Sequence, residues 1–121
     1  MAAWEKIYES RIVTPDEAAT KIQSGQRIFL TGNCSVPQKV LAALVKHAPN
    51  LQDVEICQAL TIGPADYVSP AMEGHLRVNA MFISANIRKA AQAGRTDFTP
   101  IFLSEFPLLF KQPFLFVNPC F

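Results

Sequence analysis

The run from Arg27 to His47, Arg-Ile-Phe-Leu-Thr-Gly-Asn-Cys-Ser-Val-Pro-Gln-Lys-Val-Leu-Ala-Ala-Leu-Val-Lys-His, limits the fold more than any other stretch of the chain. Ile28, Phe29 and Leu30 form a short apolar run with a β-branched member, the signature of a buried strand. Gly32 to Val36 interrupts the pattern with small and polar residues, and Pro37 suits the first turn of a helix. Val40, Leu41, Leu44 and Val45 then fall on one helical face. Strand, short loop and helix make half of a βαβ unit. In parallel sheets, ligands bind at the loops that follow the carboxyl ends of strands. The N–H groups opening the helix favour a carboxylate or phosphate there.

The rest of the chain repeats this alternation. Trp4 to Ser10 predicts a short helix that docks Trp4, Ile7 and Tyr8 onto the body. Thr14-Pro15-Asp16-Glu17 is a helix start, with Thr14 as cap, Pro15 at the first position and Glu17 closing a capping box. Ala18, Ala19 and Ile22 give that helix its apolar face, and Gly25 stops it. Val54 to Leu60 reads as a second strand, followed by a Gly-Pro loop over Thr61 to Tyr67. Ser69 to His75 holds at most one helical turn. Arg77 to Ser84 reads as a third strand. Asn86 to Gly94 reads as a helix, with Ile87, Ala90 and Ala91 inward. Phe98 to Leu103 is a fourth strand weakened by Pro100, and Ser104 caps a last helix to Phe110. The fold class is therefore α/β, an open and largely parallel sheet with flanking helices.

At 121 residues the chain has the size of one domain, enough to bury roughly two-thirds of its unfolded surface. Eleven basic against ten acidic residues give a net charge of +1. Lys and Arg are scattered, so no electrostatic footprint for nucleic acid exists. Cys34, Cys57 and Cys120 are odd in number and far apart, which argues against a disulfide framework and for a cytoplasmic setting. His47 and His75 read as surface residues without metal-ligand spacing. No window reaches the ~20 apolar residues of a membrane span, and the first residues lack a signal-peptide core. The ending is unusual. Six of the nine phenylalanines lie between Phe102 and Phe121, and such a tail exposes an apolar patch unless something covers it.

Several segments, in order, resemble the N-terminal domain of the acetyl-CoA hydrolase/transferase family. The clearest runs from Phe82 to Glu105, Phe-Ile-Ser-Ala-Asn-Ile-Arg-Lys-Ala-Ala-Gln-Ala-Gly-Arg-Thr-Asp-Phe-Thr-Pro-Ile-Phe-Leu-Ser-Glu. Supporting pieces are Thr14-Pro-Asp-Glu-Ala18, Ser24-Gly25, the Gly32–Pro37 loop with Leu41-Ala-Ala-Leu44, and Thr61-Ile-Gly-Pro-Ala-Asp-Tyr67. The resemblance divides the chain into an N-terminal domain over residues 1–110 and a divergent apolar tail over 111–121. It implies the open parallel-sheet fold shared by CoA-transferases and sugar-phosphate isomerases. It covers about the first quarter of a family member, whose catalytic glutamate and glycine-rich CoA loop lie in a later domain. A truncated or frame-shifted product, or a deliberately shortened chain, would explain the ending.

The resemblance implies CoA transfer between short-chain carboxylates, or acyl-CoA hydrolysis, by attack of a glutamate carboxylate on a thioester. No cofactor is tightly bound; acyl-CoA enters as substrate, with a short-chain carboxylate and the missing C-terminal domain as partners, and a homo-oligomer is compatible. The chain alone is expected to be inactive. Among the acids, Glu17 caps a helix, Glu5 and Glu9 belong to the surface, and Glu73-Gly74 is the sole Glu-Gly pair; none resembles the catalytic segment. The loop residues Gly32, Asn33, Cys34, Ser35 and Pro37 are the candidates for the acyl or carboxylate pocket, and Gly63, beside Pro64 and Tyr67, is a second. Each loop is also explained as plain turn geometry. Cys34 sits where nucleophile-elbow enzymes place their nucleophile, yet no G-x-S-x-G pattern surrounds it; Cys57 and Cys120 are expected to be inert. Asn86 reads as a helix cap and Arg88 as an ion-pair partner. A non-catalytic α/β module docking its tail on a partner, or an inactive fragment, is the alternative. A third reading is a nucleotide-binding Rossmann protein, and the absence of G-x-G-x-x-G after the first strand counts against it.

Overall fold

The computed structural model describes residues 3–111. Its centre is a four-stranded, all-parallel sheet of β1 (Arg27–Leu30), β2 (Val54–Gln58), β3 (Leu76–Ala80) and β4 (Thr96–Phe98), arranged in chain order. Five helices accompany it: α1 (Ala3–Arg11), α2 (Pro15–Ala19), α3 (Gln38–His47), α4 (Arg88–Gln92) and α5 (Phe106–Lys111). The expected α/β class holds.

The three crossovers all step in one direction, and the right-handed rule for parallel connections then puts them on one face of the sheet. Ile28, Leu30, Val54, Ile56, Leu76 and Val78 point to that face by strand alternation. They pack there against Leu41 and Leu44 of α3, Ile22, Tyr67, Met72 and Ile87. The second face divides along its length. Phe29, Cys57 and Met81 form a small apolar cluster with Ile101, Phe106 and Leu109, and Phe110 of α5 meets Phe29 edge-on at 5.0 Å. Toward the amino ends of β1 and β2, and across β3 and β4, it is polar. Arg27 pairs with Glu55, Asn79 Nδ2 donates to Glu55 Oε1 at 3.0 Å, and Thr99 Oγ1 donates to Asn79 Oδ1 at 2.8 Å.

Arg77 and Asp97 clamp β3 to β4 with two parallel hydrogen bonds, one of them 2.6 Å long. Those bonds hold the Asp97 carboxyl below its ordinary value. A carboxyl with a lower pKa folded than unfolded stabilises the fold above its unfolded value. That contribution is lost as pH falls through the folded one. Asp97→Asn should therefore be less stable than wild type at neutral pH, by under about 1 kcal/mol for so exposed a pair. The gap between the two urea melts should close as pH is lowered from about 7 toward 3.

Several boundaries depart from the sequence reading. The capping box is present: Thr14 Oγ1 accepts from Glu17 N–H at 3.2 Å and Thr14 N–H donates to Glu17 Oε2 at 2.7 Å. But α2 ends at Ala19, where Thr20 Oγ1 donates back to the Glu17 carbonyl at 2.7 Å. Gly25 (φ +75°) turns the chain only later, donating to the Gln52 carbonyl. Trp4, Ile7 and Tyr8 do not dock; α1 buries no residue among those described. β3 ends at Ala80, not Ser84. β4 precedes the predicted strand because its place is set by pairing Val78–Ala80 with Thr96–Phe98. Ser104 is not a cap: a 3-10 turn over Leu103–Glu105 leads into α5, with Phe102 N–H donating to Glu105 Oε2. Ile87, not Asn86, precedes α4, and no ion pair among the described residues includes Arg88. His75 is half-buried, its Nδ1 donating to the Leu51 carbonyl at 2.7 Å. The predicted tail beyond Lys111, Cys120 included, lies outside the described residues.

Candidate functional site

The loops at the carboxyl ends of β1, β2 and β3 meet at one end of the sheet. After β1, Thr31 Oγ1 donates to the Ser35 carbonyl at 2.7 Å and Ser35 Oγ to the Gly32 carbonyl at 2.8 Å, closing a 3-10 turn over Asn33–Ser35. Asn33 takes φ +52°, a left-handed backbone that asparagine tolerates better than most residues. Its N–H donates to the Leu60 carbonyl at 2.9 Å and so ties this turn to the loop after β2. Gly32 is required at the seam: a Cβ there would stand 2.5 Å from the Leu60 carbonyl oxygen.

Gly32 and Asn33 open onto a cavity of about 610 Å³, walled mainly by Leu60, Met81, Phe82 and Phe102. None of the six glutamates lines it. Cys34, Ser35 and Pro37 face solvent outside this wall. The Ser35 hydroxyl is engaged within the turn, and Pro37 precedes α3 rather than standing inside it. Cys34 is exposed and Cys57 buried, and neither forms a disulfide. Burial pushes the Cys57 thiol up to about 12, which keeps it protonated and inert.

Gly63, the second candidate, lies in the loop after β2 with φ +101°. Gln38, from the first turn of α3, donates its Nε2 to the Ile62 carbonyl at 2.6 Å. Thus both candidate loops are joined through backbone carbonyls at Leu60 and Ile62, and the structure brings Gly32, Asn33 and Gly63 to one end of the sheet.

Behind Gly63 stands a buried polar cluster that the sequence reading missed as a unit. Tyr67 O–H donates to Gln58 Oε1 at 2.9 Å, and Gln58 Nε2 to Thr61 Oγ1 at 3.1 Å. Thr61 and Ser84 hydroxyls meet at 3.1 Å, Ser84 Oγ donates to Asn86 Oδ1 at 2.6 Å, and Asn86 Nδ2 to the Gly63 carbonyl at 3.0 Å. With Thr61 donating to Ser84, one direction of donation runs from Tyr67 to the Gly63 carbonyl and satisfies each member. Gln58, Thr61, Tyr67 and Ser84 are buried; burial also raises the Tyr67 phenol above its ordinary value, so it remains a donor. The signal was legible in one place. Strand alternation puts Gln58 on the inward face with Val54 and Ile56, where an unpartnered amide would be costly.

No helix among the described residues is long and apolar enough to cross a membrane. No group of His, Cys, Asp or Glu among them could hold a metal ion.

A family model described as the acetyl-CoA hydrolase/transferase N-terminal domain matches residues 2–118. The chain is 36% identical over 109 residues to the 4-hydroxybutyrate coenzyme A transferase of Clostridium kluyveri, covering 90% of this chain and 25% of the relative. It is 38% identical over 99 residues to the succinyl-CoA:acetate/propanoyl-CoA:succinate CoA transferase of Fasciola hepatica, covering 80% and 20%. Among solved structures, RipA from Yersinia pestis superposes with a TM-score of 0.78 at 20% identity, over 93% of this chain and 29% of RipA. The 4-hydroxybutyrate CoA-transferase from Porphyromonas gingivalis does so with 0.69 at 20% identity, over 95% and 25%. The chain thus spans about a quarter of the length of these relatives.

Proposed function

This chain belongs to the acetyl-CoA hydrolase/transferase family, whose N-terminal domain it matches, and from that premise we propose that it supplies the acyl-side wall of a CoA-transferase or acyl-CoA hydrolase. The substrates are acyl-CoA and a short-chain carboxylate. The observation that carries the reading is the convergence of Gly32, Asn33 and Gly63 at the carboxyl end of a parallel sheet, with Gly32 and Asn33 lining an apolar cavity. That end is where open α/β sheets take ligands, and a backbone N–H there without an acceptor among the described residues, that of Gly63, can meet a carboxylate or a developing oxyanion. Cys34, Ser35 and Pro37 belong to the turn that shapes this wall.

In this family, by resemblance, a glutamate carboxylate attacks the thioester. None of the six glutamates of this chain lines the cavity, and three have other placements: Glu17 caps α2, Glu55 pairs with Arg27, and Glu105 holds Phe102 N–H. The nucleophile and the CoA loop therefore come from a separate domain, a further partner of this one, and the chain alone has no turnover. A homo-oligomer and a cytoplasmic setting accord with the family reading.

Complementation tests the reading. The purified chain is melted with and without CoA, acetyl-CoA and acetate, then mixed with the remaining three-quarters of a family CoA-transferase. A cooperative melt, with CoA transfer from acetyl-CoA to a short-chain carboxylate only in the mixture, is the expected result. A chain that melts cooperatively, binds none of the three and restores no transfer would refute the assignment.

A further inference from the structure

We infer that Gln38 and Asn86 are positioning residues that aim the Gly63 N–H away from α3 at the carboxyl end of the sheet, with the Tyr67–Gln58–Thr61–Ser84 relay anchoring Asn86. The inference rests on the acyl-side reading above and names the residues that hold its donor in place.

The argument starts from the two peptide units that flank Gly63. A trans peptide is planar, with C=O and N–H pointing in opposite directions. Gln38 Nε2 holds the Ile62 carbonyl from the α3 side at 2.6 Å, so the N–H of Gly63, in the same peptide unit, points away from Gln38. The next unit, Gly63–Pro64, has no N–H, leaving only its carbonyl to be placed. Asn86 Nδ2 takes that carbonyl at 3.0 Å from the loop after β3. Both units are therefore gripped by their carbonyls, from two different elements. Among the described residues the Gly63 N–H meets no acceptor.

The glycine and the grip require each other. A Cβ at Gly63 would stand 2.4 Å from Gln38 Nε2, and φ is +101°, which side chains disfavour. Asn86 is fixed in turn. Its Oδ1 accepts from Ser84 at 2.6 Å, which directs Nδ2 toward the Gly63 carbonyl. Ser84 accepts from Thr61, Thr61 from Gln58, and Gln58 from Tyr67. Hydrogen bonds that run in one direction polarise one another and stiffen the chain they form. An apolar set of the same volume would fill this space as well but would leave the loop carbonyls free to rotate. The relay thus fixes orientation, beyond filling the core.

The test uses the ¹⁵N-labelled 121-residue chain, with acetate as the probe and the Gly63 amide resonance as the readout. Asn86→Asp removes the donor without changing shape, and Gln38→Met removes the other; Gln38 is exposed, so the second variant folds even where the first does not. Wild type should show a saturable Gly63 shift with acetate. Each variant should keep a cooperative melt yet need about tenfold more acetate for the same shift, the cost of one lost orienting hydrogen bond. A wild-type response that Gln38→Met leaves unchanged would overturn the positioning role while the acyl-side reading stands. A wild-type Gly63 amide indifferent to acetate and to acetyl-CoA would remove that reading, and the positioning role with it.

Discussion

Ile56→Ala should destabilise the domain by about 2–5 kcal/mol. Ile56 is fully buried at the middle of β2 and stands in register between Ile28 of β1 and Val78 of β3. Removing three carbon atoms from that position loses their transfer energy and leaves a cavity that the parallel ladder on both sides cannot close. A domain of this size has a total stability of about 5–15 kcal/mol, so the variant would sit near the limit of folding. Urea denaturation followed by circular dichroism measures the loss. A drop below about 1 kcal/mol would mean that the site relaxes freely and that the first face is not the close-packed core described above.

Gly32→Ala should cost about 1–3 kcal/mol by overpacking and, unlike Ile56→Ala, should act on the crevice directly. The added methyl would stand 2.5 Å from the Leu60 carbonyl oxygen, a backbone atom that also accepts the Asn33 N–H. Neither strand end can retreat without breaking that bond, so the turn after β1 must separate from the loop after β2. Hydrogen exchange at the Asn33 amide should accelerate along with the fall in melting temperature. Gly25→Ala supplies the contrast. Nothing lies within 4 Å of its added methyl, so only its positive φ is strained and Asn33 should stay protected. Equal protection of Asn33 in the Gly32 variant would contradict the seam.

The strands, the helix after the first of them and the shared end of the sheet were legible in Ile28–Leu30, Val40–Val45 and the two glycine loops. Local periodicity was enough there because Ile28, Leu30, Leu41 and Leu44 face one core. Other features depended on distant surfaces. Trp4, Ile7 and Tyr8 have helical spacing, and α1 forms, but spacing cannot say which surface receives the stripe, and among the described residues none does. Phe98–Leu103 looked like a strand by composition, yet the ladder on β3 selects Thr96–Phe98, and Pro100 has no N–H to extend it. At the candidate site, Gly32, Asn33 and Gly63 followed from turn chemistry. The relay did not, since Gln58, Tyr67, Ser84 and Asn86 meet only after two strands have paired. Asn86 resembled a helix cap because its side chain does hold a backbone group, but that group is the Gly63 carbonyl in the loop after β2.

The chain-order arrangement of the sheet has a consequence for how it is built. Among the described residues each strand pairs only with the strands next to it in sequence, β1 with β2, β2 with β3 and β3 with β4. None of these four strands has to wait for another of them from farther along the chain, so loop closures stay short and the entropy spent before each new contact stays small. During synthesis, which exposes the amino end first, the sheet can grow one edge at a time. The Asn33–Leu60 bond forms when the second strand arrives and the Asn86–Gly63 bond when the third does. The crevice is thus assembled in the order in which the ribosome delivers its walls.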